Sequence, residues 1–140
     1  MGRRLGAIEM RKMRSSTKLV LGALTLLTLF AIPHLIDDFL YGIPEEFGIS
    51  NQIAQVLAGI FSVFLVLTFV GVGREARPGL VAAAFLGGFL ALAVTLKHFP
   101  IMVKPGPYWS GWFSELLILG VFGSGILLLI VSAIALRGRS

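Results

Sequence analysis

Four uncharged apolar runs, residues 19–36, 53–72, 80–96 and 116–136, constrain this chain more than anything else in it. A hydrocarbon core of about 30 Å is crossed by about 20 mostly apolar residues of helix. The polar side chains inside the runs are Thr25, Thr28 and His34; Gln55, Ser62 and Thr68; Thr95; and Ser124 and Ser132. None of the runs alternates apolar and polar with period two, so they are not barrel strands. Lipid cannot satisfy an exposed backbone, so continuous runs of this kind must be helices. Composition agrees: 56% of the residues are hydrophobic and only 14% charged, against about 25% charged in a soluble domain. Such a chain is too apolar for disorder, and without cysteine it cannot be a disulfide-stapled scaffold. The expected fold is all-α: a four-span transmembrane bundle over residues 19–136, with a basic N-terminal segment (1–18) and a basic tail (137–140).

Lysine and arginine set the orientation. Four spans put both termini and the 73–79 loop on one side. That side holds ten of the twelve basic residues against Glu9 and Glu75, a net +8. The other side sets Lys97 and Lys104 against Asp37, Asp38, Glu45, Glu46 and Glu115, a net −3. Both termini are therefore expected in the cytoplasm and the chain in the plasma (inner) membrane. The basic pI then reflects topology and attraction to anionic lipid, worth roughly 1 kcal/mol per residue near the surface, and no nucleic-acid partner is expected. Wound as a helix, residues 3–18 gather Arg3, Arg4, Arg11, Arg14 and Lys18 within about 100° of arc, but Glu9 and Lys12 interrupt the opposite face, so the segment reads either as a weakly amphipathic surface helix or as a solvated start. Met10 and Met13 are alternative starts to Met1. The first run is longer than a signal-peptide core and ends without a good cleavage site, so it reads as an uncleaved span.

Ala58-x3-Ser62, Ala83-x3-Gly87, Ala84-x3-Gly88 and Gly120-x3-Ser124, extended by Gly123 and Gly125, are small-residue ridges along which membrane helices pack closely. They fit packing within the bundle or a homo-oligomer face.

The unusual residues gather at the outer end. Pro44, Glu45 and Glu46, closed by Gly48, predict a one-turn surface helix, and Ser50 or Asn51 then caps the second span. Tyr108, Trp109 and Trp112, in a proline-stiffened second loop, read as interface anchors. Lys97 and His98 stand at a helix C-terminus and Glu115 at an N-terminus, where the helix dipole favours each of them. Asp37 and Asp38 stand against the dipole and against each other at the end of span one, where the alternative to a partner is plain solvation. His34 lies three and four residues earlier on the same face, after Pro33, with Tyr41 continuing the stripe.

His34, Asp37, Asp38, His98 and Glu115 thus form a candidate polar cluster. Two histidines with one or two carboxylates suit zinc, iron, manganese or nickel. His34 and His98 from two helices also suit a b-type haem, and His34 with Asp37 suits proton exchange with a quinone or lipid headgroup. Thiol chemistry lacks its cysteine, Ser62, Ser124 and Ser132 are not at histidine depth for a serine protease, and Gly71-Val72-Gly73-Arg74 lacks the lysine of a phosphate loop. No ionisable group stands near the midplane, as a proton-coupled transporter would require. In size and four-span plan the chain is similar to DoxX-like quinone-linked proteins and to small multidrug transporters, but no motif carries either likeness, and span one lacks the transporters' buried glutamate. The sparse charge of the spans and the small-residue ridges point first to a non-enzymatic subunit or accessory of a membrane complex. The alternative is a metal-, haem- or quinone-binding enzyme with its site at the outer ends of spans one and three.

Overall fold

The computed structural model describes residues 13–104 and 111–139. Among them every regular element is helical: α1 (Ser15–Leu40), α2 (Ile43–Glu46), α3 (Asn51–Gly73), α4 (Arg77–Lys97), α5 (Phe99–Met102) and α6 (Trp112–Arg137). Four helices are long and apolar enough to cross a membrane. Tyr108, Trp109 and most of the basic N-terminal segment lie outside the described residues.

The first helix runs further than the apolar pattern suggests. Pro33 sits inside it, removing the amide that would bond the Leu29 carbonyl, yet the helix continues for two more turns. Such prolines are tolerated in membrane helices because neighbouring groups re-satisfy the backbone. What stops α1 is Gly42 in the left-handed region at φ +69°. Asp37 and Asp38 therefore stand, as expected, at the C-terminal end of the first span, inside the last turns of α1. The one-turn helix α2 forms where Pro44, Glu45 and Glu46 place it, and Gly48 at φ +73° ends it. Ser50 caps α3, its hydroxyl accepting from the Ile53 amide at 3.4 Å. Ser50→Ala is expected to lower unfolding stability by about 1 kcal/mol, measured by denaturant titration in mixed micelles.

The four long helices form a ring in which α6 packs against α1 and α4, and α3 closes the circuit against α4 and, less tightly, α1. Gly87 of α4 and Gly125 of α6 meet backbone to backbone: a Cβ on Gly87 would lie 2.5 Å from the Gly125 carbonyl oxygen and 2.8 Å from the Leu129 nitrogen. Gly120 faces the Phe30 ring, joining α6 to α1, and Gly71 faces Gly79 across α3 and α4. Leu24, Leu27, Leu80, Leu86, Ile118 and Leu128 fill the interior between these crossings. Two buried hydroxyls turn back on their own helices, Thr68 to the Phe64 carbonyl at 2.8 Å and Ser124 to that of Gly120 at 2.5 Å, a hydrogen bond that needs no partner helix. Of the ridge at Ala58 and Ser62, Ala58 is half-buried and Ser62 is exposed on α3, beside Ile53, Val56, Ile60 and Val63.

At one end a single acid ties three segments together. Glu75 takes the left-handed position after α3 (φ +55°), where glycine is usual. The Glu75 amide bonds the Val72 carbonyl and the Ala76 amide bonds that of Gly71, so the helix closes in a Schellman turn. The Glu75 carboxylate accepts from the Arg14 amide at 2.8 Å and the Thr17 hydroxyl at 3.3 Å. Its backbone carbonyl accepts from Arg139, whose guanidinium also donates to Thr17 at 3.2 Å. The start of α1, the α3–α4 turn and the end of α6 thus share one end of the bundle, and the His34 cluster occupies the other.

Candidate metal centre at the His34 end

Three helix features bring the cluster together. In α1, His34 and Asp38 are one turn apart, and His34 Nδ1 lies 3.6 Å from Asp38 Oδ1, too far for a hydrogen bond. His98 stands at the junction of α4 and α5. Its amide closes the last turn of α4 on the Val94 carbonyl at 3.0 Å, and its own carbonyl accepts from Ile101 and Met102, each at 3.0 Å. Pro100 in the first turn of α5 suits a new helix start. His98 is therefore held by backbone bonds on both sides, and it is only 8% exposed. The His34 and His98 rings meet edge to face, centroids 4.9 Å apart. Phe47 meets the His98 ring at 6.5 Å, and the Lys97 ammonium lies 5.2 Å from the centre of the Phe47 ring.

One ligand atom from each of His34, Asp38 and His98 lies within 4.8 Å of the other two. Around zinc, bonds of about 2.0–2.1 Å separate tetrahedral ligand atoms by about 3.3 Å, so no pair needs to close by more than roughly 1.5 Å. Side-chain torsions of two histidines and an aspartate span that range. His34 Nδ1 is buried and makes no hydrogen bond, which is costly for a polar atom in an apolar bundle and suits a nitrogen kept for a ligand. The donor set, two imidazoles and one carboxylate, is that of zinc or non-haem iron sites with open positions.

Asp37 and Glu115 do not supply ligand atoms to this trio. Asp37 is buried, and its carboxylate accepts from the Ser114 hydroxyl in the first turn of α6. The acid that stood against the dipole of α1 is thereby placed at the positive end of another helix. Glu115 is half-buried in that same first turn and does not join the three ligand atoms. Tyr41 is exposed, and so is Trp112, which stacks edgewise on Phe113. An axial haem pair would need the His34 and His98 rings, which touch edge to face, to part and admit a porphyrin between them. Ser114 and Phe47 escaped the sequence reading, because a serine beside an acid and a lone phenylalanine carry no pattern of their own.

Two cavities flank the trio. One of about 190 Å³ lies inside the ring, between His34, Asp38 and His98 and the apolar side chains of Ala31, Phe61, Leu90 and Val121. The other, about 320 Å³, lies under α2, with Asp38 and His98 again in its wall. Ligand sites in proteins begin at about 300 Å³ and are mostly apolar with a few convergent polar groups. No family model, curated protein or solved structure matches this chain.

Proposed function

We propose that this chain is a multi-pass protein of the plasma (inner) membrane, with both termini cytoplasmic, that holds a divalent transition metal between His34, Asp38 and His98 at the extracytoplasmic end of the bundle. The observation that carries it is the convergence of three ligand atoms within 4.8 Å from two helices. Ionisable side chains within membrane helices are rare and mark functional sites. The split of basic residues, ten against two, supports the orientation.

Three protein ligands leave at least one position open in a tetrahedral shell. A metal there would supply Lewis-acid chemistry, polarising an oxygen of whatever enters from the cavities. His34 and His98 would hold it as neutral imidazoles, and Asp38 would offset one of its two charges. A purely accessory role within a complex makes no use of these converging side chains.

Elemental analysis of detergent-purified protein, dialysed against zinc, iron(II) or manganese(II), tests the reading. About one ion per chain is expected, and His98→Ala is expected to weaken binding by at least about 100-fold while the helical circular dichroism persists. A wild-type protein that retains no ion under any of the three conditions sinks the proposal.

A further inference from the structure

We propose that the 320 Å³ cavity takes the chain of a single-chain lipid carboxylate, a long-chain fatty acid, with its head group between Lys97 and the metal position. This inference rests on the metal reading for its head-group contact, though not for its chain contact. The cavity lies between α1, α2, α3 and α4, and Leu35, Ile43, Ala54, Leu57 and Ala93 line it. Its rim residues Phe47, Ile49 and Leu57 are exposed and apolar, so a solute entering past them comes from lipid.

Depth fits an amphiphile. Ile49 lies just before α3 begins, and Leu57 is six residues beyond its first residue, Asn51. At 1.5 Å per residue the rim therefore descends about 10 Å along the helix, the stretch in which an acyl chain leaves its head group. Lys97, in the last turn of α4, is the cation of the lining, next to His98. With a divalent ion offset by Asp38 and the neighbouring Asp37, Lys97 still leaves that end of the cavity with net positive charge. An anionic oxygen head answers both. A volume of about 320 Å³ over a depth of about 10 Å has room for the half of one chain nearest the head group, not for two chains side by side.

The test uses a fatty acid with a mid-chain diazirine, incorporated with the zinc-loaded protein into phosphatidylcholine nanodiscs, photolysed, and mapped by peptide mass spectrometry. Zinc content is measured on the same samples. Label is expected to concentrate on the segments holding Leu35, Ala54, Leu57 and Ala93. Ala54→Phe, which fills the cavity away from the metal ligands, is expected to cut that label about tenfold with zinc retained. Lys97→Gln should reduce it about fivefold, and His98→Ala about tenfold as zinc is lost.

Label spread evenly along the outward face of α3 and unchanged by Ala54→Phe would overturn the proposal, since that is the pattern of surrounding lipid. Cavity label from a diazirine phospholipid but not from the fatty acid would overturn the single-chain assignment. Stoichiometric zinc without cavity label removes this inference and leaves the metal centre standing. Cavity label that responds to Lys97→Gln in a protein that binds no zinc supports the occupant and removes the metal.

Discussion

Gly87→Ala is expected to destabilise the bundle by about 3 kcal/mol, whereas Gly88→Ala, one residue away, stabilises it slightly. The two glycines share a helix and a small-residue pattern, so helix propensity predicts a gain of about 1 kcal/mol from either change. Packing separates them. A methyl group on Gly87 would sit 2.5 Å from the Gly125 carbonyl oxygen and 2.8 Å from the Leu129 nitrogen. Both neighbours are backbone, and backbone cannot rotate aside as a side chain can. The helices must part along the interface between α4 and α6, the most extensive in the bundle, and overpacking of this kind typically costs about 1–3 kcal/mol or more. A methyl group on Gly88 meets only the Leu129 methyls at 3.7 Å, an ordinary contact. Gly88→Ala should therefore gain about 0.5 kcal/mol through the entropy of the unfolded chain. Unfolding both variants in mixed micelles, followed by tryptophan fluorescence, gives the comparison. Equal effects would show that α4 and α6 do not cross at Gly87.

The same crossing shows what could be read from the sequence. The ridge Ala83-x3-Gly87 is visible in one dimension, and the bundle uses it. Ala58-x3-Ser62 has an equally good spacing, yet its Ser62 faces outward, because α3 packs on only part of its circumference. Spacing marks which faces can approach a neighbour, and only the assembled ring decides which do. The four long helices were legible because lipid leaves apolar runs a single solution. The ends were harder. His34 and Asp38 could be paired from their four-residue spacing, and His98 could be placed at similar depth from the alternation of spans. Nothing in one dimension separated Asp37 from Asp38, since adjacent residues on a helix differ by about 100° in direction and the direction of α6 was unknown. Glu75 was counted only as one acid on a basic side, whereas its carboxylate and carbonyl join α1, α6 and the α3–α4 turn. That role depends on a left-handed backbone, which a glutamate does not announce.

Asp37→Ala and Asp38→Ala, although adjacent and chemically identical, are expected to fail in different ways. Asp37 is 8% exposed and accepts a hydrogen bond from Ser114 across the α1–α6 interface. Removing the acceptor costs the buried Ser114 hydroxyl this bond, a loss of about 1–3 kcal/mol. Ser114→Ala should cost a similar amount. If the two act through each other, the double variant loses less than the sum of the singles, by at least about 0.5 kcal/mol. Asp38 leans toward His34 and the cavities instead, and its carboxylate is 21% exposed. Asp38→Ala should change unfolding stability by less than about 1 kcal/mol but lower the bound metal as severely as His98→Ala does. Stability in mixed micelles and metal content, measured on these four variants beside the wild type and His98→Ala, decide the matter. A folded Asp38→Ala protein that keeps its full complement of metal would remove the carboxylate from the proposed centre. Strict additivity of Asp37→Ala and Ser114→Ala would mean that Asp37 holds the bundle through other partners. The two acids repel each other at the end of one helix, and each is tolerated there for a different reason: Asp37 is satisfied by a neighbouring helix, and Asp38 by the ion it is proposed to hold.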